Sequence, residues 1–211
     1  MAIITISREY ASGGAEIAAL VAKRLGWDLI DNAFVERVAE VAGMSPEEVA
    51  RLEERVPSFA ERLARALAGS SPELFLSAGE AVTAETMVSE RQLVRVTEAV
   101  IAEAVQHDRV VLVGRGAQAN IGERQGALHV YLVAPREARI RRAMERHGIG
   151  ATEAERMVDE TDHNRRRYVK THYGRKWEDS ANYDIVVNSA AFSYEECAGI
   201  VVRTVEIRGW K

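Results

Sequence analysis

The chain is 211 residues long, 47% apolar and 28% charged, a composition that can bury a full core and excludes a disordered polymer. Its 28 Lys+Arg against 32 Asp+Glu leave a net charge of −4, which argues against a general polyanion binder and so against nucleic acid as partner. The single cysteine, Cys197, excludes an internal disulfide framework and a cysteine-based zinc site, and no apolar run nears the roughly 20 residues of a membrane span.

The length suits one compact domain with a helical insertion. The start, MAIITISREY, has no basic segment ahead of a long apolar stretch, so a secretory signal is not expected and a cytoplasmic location is. Ile3 to Ile6 is short and β-branched and reads as a buried parallel strand. The small-residue loop from Ser7 to Gly14 follows. A helix from about Ala15 to Leu25 carries Ile17, Leu20, Val21 and Leu25 on one stripe and stops at Gly26. Trp27 to Ile30 is a second strand. Strand, glycine-rich turn, helix, strand is the opening of an α/β fold.

The stretch of about 31–107 reads as helical. Phe34, Val35, Val38 and Val41 mark one helix, and Ser45-Pro46-Glu47-Glu48 is a capping box that opens another. An Ala/Arg-rich helix covers about Ser58 to Ala68, Gly69 to Gly79 reads as a loop, and a longer helix covers about Glu85 to Gln106. These Ala-rich helices serve equally as core packing or as a homo-oligomer contact.

The strand–helix rhythm returns at Arg109 to Val113, closed by the turn Gly114-Arg115-Gly116. Leu128 to Val133 is the next strand. Pro135 precedes an Arg-rich helix over Arg136 to His147, and Thr152-x-x-Glu155 reads as a capping box for a helix reaching about Lys170. Tyr183 to Val187 is the last strand, and Ser193-x-x-Glu196 caps a final helix with Ile200, Val201, Val205 and Ile207 on its apolar side. Five short apolar strands joined by helical crossovers imply a parallel sheet covered on both faces.

Ligands of such sheets bind beyond the carboxyl ends of the strands, so the loop after the first strand is the first candidate site. There Arg8, Ser12, Gly13 and Gly14 precede a helix whose first amides and positive end suit an oxyanion. Aligned on Gly13 with the Walker pattern G-x-x-x-x-G-K-[ST], the loop has Arg8 at the first glycine, Gly14 at the lysine and Ala15 at the hydroxyl. One defining position of four remains. The loop chemistry alone fits a tight turn without a ligand as well as it fits a phosphate cradle.

The strings ITISREYASGGAEIA and LGWDLIDNAFVERVAE, then VVLVGRGAQAN, LHVYLVAPREARIRRAMERHG, ETDHNRRRYVKTHYG and YDIVVNSAAFSYEECAGIV, resemble the cytidylate-kinase-like family over nearly the whole chain. Members are relatives of nucleoside monophosphate kinases with a degenerate phosphate loop. The resemblance implies a P-loop NTPase-type three-layer α/β fold, with a five-stranded parallel sheet, a helical insertion after the second strand and an Arg-rich helical lid at about 136–170. By the same resemblance Arg37 and Arg115 lie by an acceptor phosphate, and Asp162 and Arg165 match an Asp-x-x-Arg element on the acceptor nucleotide. Arg139 and Arg142 fall on the lid arginines that embrace donor phosphates. ATP and Mg²⁺ are the implied cofactors, although Ala15 removes the loop hydroxyl that holds the metal. Gly116 replaces an aspartate of the true cytidylate kinases, and Ala15 stands where an arginine is frequent in this family.

Arginine suits the implied chemistry because phosphoryl transfer needs alignment and positive charge more than covalent help. Nine arginines lie between Arg136 and Arg167, but seven acidic residues share the stretch, so pairing on helix surfaces competes with phosphate binding. Arg37 serves equally in a surface salt bridge, and Asp162 equally in a pair with Arg165 or Arg166. The expected activity is transfer of phosphate from a nucleoside triphosphate to a nucleotide or other small acceptor. The alternative is a nucleotide- or phosphate-binding protein without catalysis. Of the five histidines, none has metal-ligand spacing, and no protein-held metal is expected.

Overall fold

A computed structural model describes residues 2–31, 90–106 and 108–210. The helices expected within 32–89, the capping box at Ser45 and the candidate Arg37 lie outside those residues. The chain forms two compact units, one of residues 1–29 with 109–211 and one of residues 30–108. In the second, helix α2 (Glu90–Gln106) buries Val94, Val100, Ile101, Ala104 and Val105, an i, i+3, i+4 stripe.

The chain opens with β1 (Ile3–Arg8) and α1 (Gly14–Leu25), followed by β2 (Asp28–Ile30), whose last residue begins the second unit. Then come β3 (Val110–Val113), the short α3 (Ala117–Ile121), β4 (Ala127–Val133) and α4 (Arg136–His147). Helix α5 (Ala151–Tyr173), a 3₁₀ turn at Ser180–Asn182, β5 (Ile185–Asn188) and α6 (Tyr194–Ile207) complete it. The five strands lie in the order β2-β3-β1-β4-β5. β1 pairs in parallel with both β3 and β4, with Ile4 opposite Val111 on one side and Leu128 on the other. β4 pairs in parallel with β5.

β1 is therefore the central strand, and its Ile3, Ile4 and Ile6 are almost fully buried. Each such side chain contributes about 1.5–3 kcal/mol by leaving water. One face of the sheet packs with Ile17, Val21, Val201 and Val205 of α1 and α6 into the main core, which also takes the indole of Trp27. The central position puts the end of β1, and the loop that follows, between the ends of β3 and β4.

Several expectations differ from the structure: β3 starts at Val110 and β5 at Ile185, both later than expected. Trp27 falls outside β2 because its amide closes the end of α1, donating to Ala22 O at 3.0 Å. The box expected at Thr152 does not form. Helix α5 starts at Ala151 with Gly150 as its N-cap, so Thr152 already lies inside the first turn. Helix α3 was not expected, since five residues are too few to show a period. The capping box at Ser193 and Glu196 is formed in both directions.

Candidate phosphate-binding site

The loop between β1 and α1 is built by hydrogen bonds that occupy most of its early groups. Glu9 N continues the strand by donating to Leu132 O at 3.0 Å. Tyr10 N donates to Asp162 Oδ1 at 2.8 Å. Ser12 turns its hydroxyl back onto Glu9 O at 2.9 Å. Ala11 and Gly13 take positive φ, 57° and 79°, which curls the chain into the helix. The first helical bond runs from Ile17 N to Gly13 O, so the amides ahead of it are the donors that any helix leaves without an intrahelical partner.

Two side chains cover this turn. A Cβ added at Gly13 would strike the Tyr194 ring, and one at Gly14 would strike the stem of Arg8. Arg8 continues across to β3, where its guanidinium lies against Gly114. The residue at the first Walker glycine thus lays its side chain over the residue at the Walker lysine. Gly114, Arg115 and Gly116 all have positive φ, at 74°, 50° and 67°. Left-handed backbone at Arg115 costs roughly 1–2 kcal/mol, strain of the kind that gathers at functional turns. Tyr173 packs on Gly116, and Gly114 N donates to Ile6 O at 3.1 Å, which ties the turn to the end of β1.

Three arginines of α4 and α5 face this loop. Arg165 Nη1 donates to Arg8 O at 2.9 Å, Arg139 Nη1 to Tyr10 O at 3.4 Å and Arg142 Nη1 to Ala11 O at 3.4 Å. Each of these guanidinium groups therefore holds a different carbonyl of the turn. Arg139 is 7% exposed and bonds Asp162 Oδ2 at 2.5 Å, with Glu9 Oε2 at 3.3 Å. Glu9 Oε2 also accepts from Ala134 N at 2.9 Å, and burial pushes the Glu9 carboxyl above its ordinary value of 4.5. Burial likewise pulls Arg165 below the ordinary guanidinium value, opposed by the Asp162 carboxylate 3.7 Å away, though an arginine stays charged. Arg142 reaches the end of β5, donating to Ser189 Oγ at 3.0 Å and Ser189 O at 2.6 Å, and lies 5.4 Å over the Tyr194 ring.

The structure so brings together Arg8, Ser12, Gly13, Gly14, Arg139, Arg142, Asp162 and Arg165. Arg115 stands on the adjoining turn. The carboxylates Glu9 and Asp162 act as counterions of Arg139. A cavity of about 680 Å³ opens beside them, lined by Glu9, Arg139, Asp162, Asp159, Arg166 and Glu178 among others, a wall too acidic for a bare phosphate. Tyr194, which both covers Gly13 and carries Arg142, was missed. It lies 181 positions from Gly13 by number, and nothing local marks it.

The loop does not fit a magnesium ion held by its own hydroxyl. Ala15 has none, Ser12 Oγ is turned onto Glu9 O, and Glu16 is paired with Arg146. Among the described residues no group of three or more His, Cys, Asp or Glu is placed to hold a metal. None of their helices is long and apolar enough to cross a membrane.

The sequence profile of the cytidylate kinase-like family matches residues 3–191. The chain belongs to that family. Its fold is the P-loop kinase type: a shikimate kinase from Bacteroides thetaiotaomicron superposes with a TM-score of 0.50 at 12% identity, over 97% of this chain and 98% of that one. An uncharacterized protein from Eubacterium ventriosum superposes with a TM-score of 0.69 at 18% identity, over 98% of this chain and 99% of that one. These likenesses show the fold of this cytidylate kinase-like chain. A uronate isomerase of Corynebacterium glutamicum is 27% identical over 121 residues, 57% of this chain. The chain spans about a quarter of that curated relative, 23% of its length, so the isomerase name describes the relative alone.

Proposed function

We propose that this cytidylate kinase-like chain is a nucleotide-dependent phosphotransferase, moving phosphate from ATP to a nucleotide or other small acceptor. The observation that carries the reading is the course of Arg8. Its stem crosses Gly14, where the loop lysine is missing, and its guanidinium reaches the Gly114 turn beside Arg115. A fixed cation thus spans the gap between the phosphate loop and the turn expected to face the acceptor. Guanidinium offers a fork of donors to phosphate oxygens and cannot lose its charge.

In this mechanism the opening amides of α1 hold the donor phosphates from the Ala15 side, where the turn is exposed. Arg8 takes the lysine's share of the charge that gathers on the transferred group. Arg142 and Arg165 hold the loop carbonyls, so the neighbouring peptide units are fixed before ligand arrives. Arg115, with Asp162, orients the acceptor. Arg139 keeps the lid against the loop through its counterions, and its transfer onto a phosphate requires Asp162 to release it.

A second reading has its own observation. The Asp162 carboxylate occupies the Tyr10 amide and the Tyr194 ring covers Gly13, as in a pocket that binds a nucleotide without turning it over. The deciding experiment mixes the chain with ATP and a panel of acceptors headed by cytidine monophosphate, with and without Mg²⁺, and measures the diphosphates formed. Turnover that is lost in Arg8→Ala supports the transferase. Saturable ATP binding with no product supports the second reading, and neither binding nor product overturns both.

A further inference from the structure

The loop site lies at the carboxyl ends of the strands. A cavity of about 780 Å³ opens at the other end, beside Ala127 and Asp184, where β4 and β5 begin. Its wall carries Arg124, Arg175 and Arg208 against Glu123 and Asp184, with the Trp210 indole at one side. The wall is therefore cationic on a chain of net charge −4.

The two arginines that matter here are held differently. Arg208 is braced: Nη1 donates to Ala127 O at 2.7 Å, Nη2 lies 3.1 Å from Asp184 Oδ1, and the guanidinium sits 5.1 Å over the Trp210 ring. The other Asp184 oxygen accepts from His129 N at 2.7 Å, so that carboxylate divides its charge between two donors. Arg175 is half-buried and its side chain, among the described residues, makes no hydrogen bond or ion pair. Its Nη2 lies against Gly122, where an added Cβ would come within 3.3 Å. Gly122 has φ 61° and ψ −153°, a region open essentially to glycine alone. The backbone at this point thus adopts a conformation that leaves the guanidinium room at the cavity wall.

A half-buried cation with no acceptor among the described residues, facing a cavity whose second guanidinium is already oriented, is completed by an oxyanion. We propose that this cavity is a second anion site, taking the phosphate group of a small organic phosphate between Arg175 and Arg208, with its organic part against Trp210. The volume is that of a small-molecule site and exceeds what inorganic phosphate fills. The site is separate from the phosphate loop and does not depend on phosphoryl transfer there.

Inorganic phosphate is the probe, titrated into the full chain while the indole N–H signals are followed by NMR. Trp210→Phe identifies the signal of Trp210. The expected result is a saturable shift of that signal, weakened about tenfold or more in Arg175→Ala and restored in part by Arg175→Lys, as loss of one charge-assisted contact implies. Arg142→Ala, on the loop site, leaves it unchanged. A Trp210 signal that phosphate does not move, or one that moves equally in Arg175→Ala, overturns the site. Because the Arg175 side chain holds no bond among the described residues, its variants should fold, and an unchanged far-UV spectrum checks this.

Discussion

Arg139 and Asp162 show how far a residue's role depends on partners the sequence does not place beside it. Both belong to the phosphate-site expectation, yet they are 23 positions apart and meet at 2.5 Å, each nearly buried. A pair within one helix would have been readable by spacing; this one needs α4 and α5 to fold back on each other. Removing Asp162 leaves Arg139 with Glu9 as its remaining counterion and strips the Tyr10 amide of its acceptor, so Asp162→Ala should cost about 1–3 kcal/mol in urea unfolding. A loss below about 1 kcal/mol would be that of a surface pair and would deny the contact this weight. Glu9 gives a signed test of the same cluster. Burial raises its carboxyl above 4.5, so the folded chain holds that proton more tightly than the unfolded chain does. This contribution is complete below the ordinary value and is lost as pH rises through the raised one. Against Glu9→Gln, the wild type should therefore gain relative stability as pH falls from neutrality towards 4.5. A difference that stays flat across that window would remove burial as the dominant cause.

Helix ends were readable where the cap is local and misread where a neighbour decides. Ser193 and Glu196 form both halves of their box, at 3.2 Å and 2.8 Å. Thr152 and Glu155 have the same spacing, but the cap lies two residues earlier, at Gly150, whose place there is held without a side-chain bond. Ser193→Ala should thus lower stability by about 1 kcal/mol, whereas Thr152→Ala should change it by less than about 0.5 kcal/mol, both read from urea midpoints. Equal losses would mean that the box at α6 is not what holds its start. Turns offer a second contrast. Gly114 and Gly148 both have positive φ, but Gly148 faces open space and Gly114 faces the Arg8 guanidinium. Alanine at either carries the left-handed backbone cost of about 1–2 kcal/mol. Only Gly114→Ala also displaces Arg8, so it alone should weaken ATP binding in calorimetry. Equal binding by the two variants would detach Arg8 from the site.

For the molecule as a whole, the class of fold was legible because five β-branched runs alternate with amphipathic stretches, and that rhythm allows little but a covered parallel sheet. The order β2-β3-β1-β4-β5 was not, since strand neighbours are set by crossovers and leave no local mark. That order matters for function. It makes β1 the strand whose two ends meet the two proposed sites, the loop after Arg8 at one and the cavity near Ala127, the partner of Ile3, at the other. A ligand that binds only the folded chain stabilises it by mass action, by about 2.7 kcal/mol at a hundred times its Kd. For a chain of this size each kcal/mol raises Tm by about 2–4 °C, so saturating ATP should shift melting by several degrees. The shift should vanish in Arg8→Ala and persist in Arg175→Ala, because the nucleotide is assigned to the carboxyl ends of the strands. The reverse pattern would move the nucleotide to the opposite end of the sheet, and a shift that survives both variants would place it on neither guanidinium.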